Sequence, residues 1–217
     1  MSWILALIFV MICAAAAGAA LYFSAQRVLV LKEQLSQLQL ALDGANNRLE
    51  QAKTRVALLS NTDAVTGLLV RHVVVERFQL TLAFARSEGI MFGVIVLQLT
   101  DFEHWADRQG RDMADKLLVG VAERLQAATN ETETVGRVRE HEFAILVPVV
   151  HNAQEIENLA NDLRARLAPP FRLAGSTQTF TLTVHAGSAC YPDDGDDWPS
   201  MLKTVDERLR ANRMQLH

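Results

Sequence analysis

The hydrophobic pattern divides the chain into three stretches. From Trp3 to Phe23 (WILALIFVMICAAAAGAALYF) no charged residue occurs. A helix of that length rises about 30 Å, enough to cross the hydrocarbon core of a bilayer. Trp3 at one end and Tyr22 with Phe23 at the other fit the aromatic belts of membrane interfaces. From Val28 the apolar positions settle into a 3,4 alternation through Val28, Leu31, Leu35, Leu38, Leu42, Ala45, Leu49, Ala52, Val56 and Leu59. That spacing lines one seam of a helix, and such a seam needs a partner helix. No proline interrupts it, and Gly44 weakens it by about 1 kcal/mol relative to alanine.

Beyond Asn61 the heptads give way to alternating helices and strands. The pattern predicts an amphipathic helix over about Val70 to Arg86, then a strand from Met91 to Leu99 (MFGVIVLQL) that is too apolar for a solvent-facing position and belongs at the centre of a sheet. It continues with a helix from Arg111 to Ala128, a strand pair at Thr134 to Val138 and Glu142 to Val147, and a helix from Ala153 to Leu167 stopped by Pro169 and Pro170. Two strands including Thr179 to Ala186 follow, then a last helix from Pro199 to Met214. The fold class is an α/β sandwich around a mixed sheet. The domain plan is residues 1–25 as a transmembrane helix, 26–61 as a coiled-coil stalk and 62–217 as one globular domain.

Charge sets the orientation. Arg27 and Lys32 follow the apolar span while neither Lys nor Arg precedes it, which places the C-terminal part in the cytoplasm of a single-pass inner-membrane protein. A cleaved signal peptide is the rival reading, because AAAAGAA could hold a cleavage site; the missing basic n-region counts against it. A formal net charge of -4 and the lack of a basic tract argue against nucleic acid as a partner. The two cysteines, Cys13 and Cys190, give no reason to expect an internal disulfide.

Several motifs from Thr62 onward resemble, in order, those of the GGDEF domains of diguanylate cyclases, which join two GTP molecules into cyclic di-GMP. Asp63-Ala64-Val65-Thr66-Gly67-Leu68 is similar to the D-x-L-T-G-L opening. Asp101-Phe102 through Asp107-Arg108-Gln109-Gly110 to Asp115 is similar to DxDxFKxxNDxxGHxxGD, and Arg137 to Leu146 to the R-x-GGDEF-AIL hairpin. Thr183 to Gly187, Tyr191-Pro192 and Asp206 to Arg213 resemble the TVSIG, YP and closing-helix motifs. The resemblance implies that the mixed sheet is mainly antiparallel.

The same resemblance puts altered residues at the places that carry the family's chemistry. Its two hairpin glycines, which let the nucleotide approach the main chain, match Arg139 and Glu140, and its magnesium-binding carboxylates match Gln98, His141 and Glu142, ahead of Phe143. An amide and an imidazole do not replace two negative oxygens. The base-reading asparagine matches Ala106 and the aspartate beside it Asp115, while the phosphate-facing lysine of the last helix matches Arg213. The arginine and aspartate of the product-inhibition R-x-x-D match Asn130 and Glu133.

The expectation is therefore a catalytically inactive domain without a cofactor, paired through its stalk as a homodimer and serving as a regulatory or protein-interaction module in cyclic di-GMP-related signalling. The alternatives are residual cyclase activity with GTP and magnesium, or GTP binding without turnover. Three other motifs carry less. His141-Glu142 has Ile145 where a zinc HExxH motif needs its second histidine. The run 193–197 lacks the later glutamate of a calcium loop, and the acidic residues 101, 107, 112 and 115 suit a solvated helical face.

Overall fold

The computed structural model describes residues 32, 37–48, 60–173 and 179–214, in two units divided between Leu58 and Leu59. In the first unit, residues 37–48 are helical (α1), with Leu38, Leu40 and Leu42 exposed by 66%, 71% and 62%. Leu38 and Leu42 belong to the seam read from the sequence. The span Trp3 to Phe23 and the seam positions Val28, Leu31, Leu35, Leu49, Val56 and Leu59 lie outside the described residues. Among the described residues no helix is long and apolar enough to cross a membrane.

The second unit is built on one strand. It contains β1 (Leu69–Val70), α2 (Arg71–Glu88), β2 (Met91–Thr100), α3 (Phe102–Gln109), α4 (Arg111–Ala128), β3 (Thr134–Arg139) and β4 (Glu142–Val150). After these come α5 (Ala153–Leu167), β5 (Phe171–Arg172), β6 (Thr179–Phe180), β7 (Thr183–Tyr191) and α6 (Trp198–Met214). The main sheet runs β1-β3-β4-β2-β7, parallel between β1 and β3 and antiparallel elsewhere. β2 is apolar at almost every position because both of its faces are covered. Ile95, Leu97 and Leu99 point into a core with α4 and α5, while Phe92, Val94 and Val96 point into a second core with α2 and α6. β4 alternates in the same way, with Phe143, Ile145 and Val147 on the first side and Ala144 and Leu146 on the second.

Local signals place the element ends. Asn152 caps α5 by accepting the Glu155 N–H at 2.9 Å, and the Glu155 carboxylate reaches back to the His151 N–H at 2.8 Å, a reciprocal pairing that fixes the start at Ala153. α6 lies so close to β7 that a Cβ on Gly187 would stand 2.7 Å from the Val205 carbonyl, so only glycine fits there.

Two elements differ from the sequence expectation. α3 was not anticipated: Phe102, Trp105 and Ala106 do fall on one face at helical spacing, but eight residues make barely two turns, too short a run to stand out from a loop. The stretch Thr179 to Ala186 is not one strand. Thr179–Phe180 pairs with β5 in a separate two-stranded ribbon, and the chain joins the main sheet only at Thr183. Phe180 packs edge-on against Trp105, ring centroids 5.2 Å apart, on the side of the α4–α5 core.

Candidate functional site

The site is assembled where the ends of β2, β4 and α6 meet the β3–β4 hairpin. Its support begins at the turn ahead of β1. Asp63 Oδ1 accepts from the Thr66 N–H at 2.8 Å and the Thr66 hydroxyl at 2.7 Å, and Gly67, at φ 70, closes the turn by donating its N–H to the Asp63 carbonyl at 2.8 Å. Arg137 on β3 donates to the same Asp63 oxygen at 3.0 Å, and through Nε and Nη2 to the Glu140 carbonyl at 3.1 and 2.6 Å. One guanidinium thus ties the turn to the hairpin tip. Burial pushes the Asp63 carboxyl up, but the two Thr66 hydrogen bonds and Arg137 outweigh it and hold the group below its ordinary value of 3.8.

Glu142 opens β4 directly across from Gln98 of β2. Its side chain is only 6% exposed, and both carboxylate oxygens are occupied. Oε1 accepts from Gln98 Nε2 at 2.8 Å, and Oε2 accepts from Arg139 Nη1 at 2.8 Å in an ion pair. The Gln98 side-chain oxygen Oε1 in turn accepts from Arg213 at the end of α6. Four of the residues singled out in the sequence are therefore brought into one chain of contacts, Arg213 to Gln98 to Glu142 to Arg139. Phe143 beside them is wholly buried in the core.

The other sequence positions fall elsewhere. His141 is half-buried, with Nδ1 3.8 Å from the exposed Glu103 carboxylate, and its carbonyl accepts the Leu99 N–H at 3.0 Å. Glu140 stands exposed at the hairpin tip. Asp115 lines a separate cleft of about 770 Å³ between α4 and the segment after α5, together with Val65, Lys116, Val119 and Phe171. Asn130 and Glu133 satisfy each other, the Asn130 N–H and side-chain amide donating to the Glu133 carboxylate at 2.9 and 3.4 Å. Among the described residues no group of three His, Cys, Asp or Glu side chains is placed to hold a metal ion. Sequence reading gave Asp63 and Arg137 no role of their own. Their pairing joins residues 74 positions apart, which no local spacing reveals.

Residues 60–216 match the family described as "Diguanylate cyclase, GGDEF domain". Among curated proteins, the cyclic di-GMP phosphodiesterase NbdA of Pseudomonas aeruginosa is 28% identical over 77% of this chain, and the diguanylate cyclase TpbB of the same species is 27% identical over 85%. The chain spans 21% of the first and 42% of the second. Among solved structures, the GGDEF domain of TpbB aligns with a TM-score of 0.67 at 25% identity, covering 71% of this chain and 89% of that one. A sensory box/GGDEF family protein from Caulobacter crescentus aligns at 0.66 and 27% identity, covering 72% and 99%.

Three outcomes follow from the geometry. Replacing Arg139 by Ala leaves the buried Glu142 carboxylate with one donor, and should cost about 1–2 kcal/mol, a figure held down because the Arg139 side chain is half exposed. In the Arg139→Ala/Glu142→Gln double variant the loss should be clearly smaller than the sum of the single losses, as read from denaturant midpoints. Asp63→Asn should lower stability at neutral pH, and the gap from the wild type should begin to close as pH falls past 3.8, the value in the unfolded chain, and vanish once pH has passed through the lower value the carboxyl has in the fold. A gap independent of pH down to acid unfolding would show that charge at Asp63 is not what stabilises the turn.

Proposed function

The chain belongs to the family of the diguanylate cyclase GGDEF domain, and from that membership we propose that it is a non-catalytic member, anchored in the inner membrane and dimeric, that acts as a regulatory or protein-interaction module in cyclic di-GMP-related signalling. The observation that carries this reading is the state of Glu142. Magnesium bound with a triphosphate needs hard, negatively charged oxygens with open coordination. Here the carboxylate at that position gives one oxygen to Arg139 and the other to Gln98, and Gln98 is further engaged by Arg213. The residues present do not fit a magnesium–triphosphate group. Arg139 at the hairpin adds bulk and a fixed positive charge where a metal ion would have to sit.

The relatives support the signalling context, since TpbB is named a diguanylate cyclase and NbdA a cyclic di-GMP phosphodiesterase. The anchor rests on the uncharged run from Trp3 to Phe23, and the dimer on the 3,4 seam, of which Leu38 and Leu42 are more than 60% exposed and lack an apolar cover. A second reading, nucleotide binding without turnover, is favoured by the open cleft beside Asp115.

The full chain, purified and supplied with GTP and Mg²⁺, is expected to yield no cyclic di-GMP; product formation would overturn the non-catalytic reading. A rise in melting temperature with GTP but no product would select nucleotide sensing instead. The chain is also expected in the membrane fraction and, after detergent extraction, to sediment as a dimer that Leu38→Glu/Leu42→Glu converts to monomer. Recovery of the unaltered chain as a monomer would remove the paired-stalk part of the proposal.

A further inference from the structure

Among the described residues β7 pairs with a strand, β2, on one side only, and its other edge has no strand partner. In an antiparallel strand the N–H and C=O of one residue face the same side, and the side alternates along the chain. The Ala186 carbonyl accepts from Asn212 Nδ2 at 2.8 Å, and the Ser188 carbonyl from Arg208 Nη1 at 2.6 Å. Ala186 and Ser188 therefore turn their main-chain groups outward. At Cys190, the next outward residue, both groups are taken by Asp194: Cys190 donates its N–H to Oδ2 at 2.8 Å, and its carbonyl accepts the Asp194 N–H at 2.9 Å. The outward carbonyls of this stretch are thus satisfied, whereas the N–H groups of Ala186 and Ser188 have no partner among the described residues.

These two donors face a polar cleft of about 380 Å³ where the edge of the sheet lies between α5 and α6. Small residues at 153, 160 and 211 leave it open. Its α5 wall carries Asn161 and Arg164, and Arg164 is half-buried with no hydrogen bond or ion pair among the described residues. Arg208 on the opposite wall is already neutralised by a two-pronged pair with Asp194, at 2.8 Å for each oxygen. Glu157 stands exposed at the rim, two helical turns or about 10 Å from Arg164. Among the described residues that line the cleft, Arg164 is the cation left to act.

The capped carbonyls decide what this edge can take. An added peptide strand must both donate to and accept from the edge, and here it would find its acceptors occupied. An oxyanion only accepts, and it matches a guanidinium beside two parallel main-chain N–H groups. We propose that the cleft between α5 and α6 at the edge of β7 is an oxyanion site, taking the phosphate or carboxylate group of a small molecule on Arg164 and the N–H groups of Ala186 and Ser188. The site is separate from the Gln98–Glu142 contacts and does not depend on whether the domain is catalytic.

The test is thermal unfolding of the full chain titrated with inorganic phosphate and, in a parallel arm, acetate, with ionic strength held constant by chloride. A saturable rise in melting temperature is expected with at least one of the two, and which one responds assigns phosphate or carboxylate chemistry. Arg164→Gln should weaken the response about tenfold or more, as loss of a charged hydrogen-bond partner requires. Asn161→Asp, which sets a negative charge in the cleft without touching Arg164, should do the same, and Arg166→Gln on the exposed face of α5 should not. No saturable response to either anion, or an equal response in Arg164→Gln and Asn161→Asp, would overturn the proposal.

Discussion

Everything in the globular unit depends on β2 being buried on both faces. A ten-residue strand with apolar side chains toward two separate cores fixes which elements lie on which side. α4 and α5 must cover the odd-numbered side and α2 and α6 the even-numbered one, or half of the strand would face water. The antiparallel pairing of β4 and β7 on its two edges follows from the same constraint. Because β4 carries its own alternation, a register shift of one residue would turn both sets of side chains the wrong way.

The polar contacts take their positions from that register. Gln98 and Glu142 are directly opposed across β2 and β4, so their side chains meet without any movement of the main chain. Arg139 reaches Glu142 from three residues away, across the irregularity that follows Arg137 in β3. A carboxylate this deeply buried must be paired, and here the pairing comes from neighbours set in place by the hairpin. The Asp63–Arg137 pair works from the other end, tying the turn before β1 to the carbonyl of Glu140. Function at this place, on the reading proposed above, is a matter of charge compensation: the same acidic side chain can serve a cation from solution or a guanidinium of its own chain.

The edge of β7 shows a related economy. An exposed strand edge invites pairing with another chain, and α6 answers it with Asn212 and Arg208 on the carbonyls while Asp194 closes the end. At Ala186 and Ser188 this protection is selective, since it covers the acceptors and leaves the donors, and so it changes the kind of partner that part of the edge can accept.

Much of this was legible in the sequence, and the limits have physical causes. The apolar run of Met91 to Leu99 was enough to place a central strand, and the double proline after Ala168 marked the end of α5, because those signals act over a few residues. The order of GGDEF-like motifs pointed to the family, and it singled out Gln98, Arg139, Glu142 and Arg213, which the fold brings into one chain of contacts. α3 escaped because its apolar face, Phe102 with Trp105 and Ala106, spans barely two turns. The split of Thr179 to Ala186 between two sheets escaped because strand propensity does not say which edge a strand will find. Only tertiary structure decided that Arg139 and Gln98 close on Glu142, that Arg137 holds Asp63, and that Arg164 and two main-chain N–H groups share a cleft. Those are meetings of residues far apart in the chain, set by how sheet and helices pack, and periodicity along the chain contains no term for them.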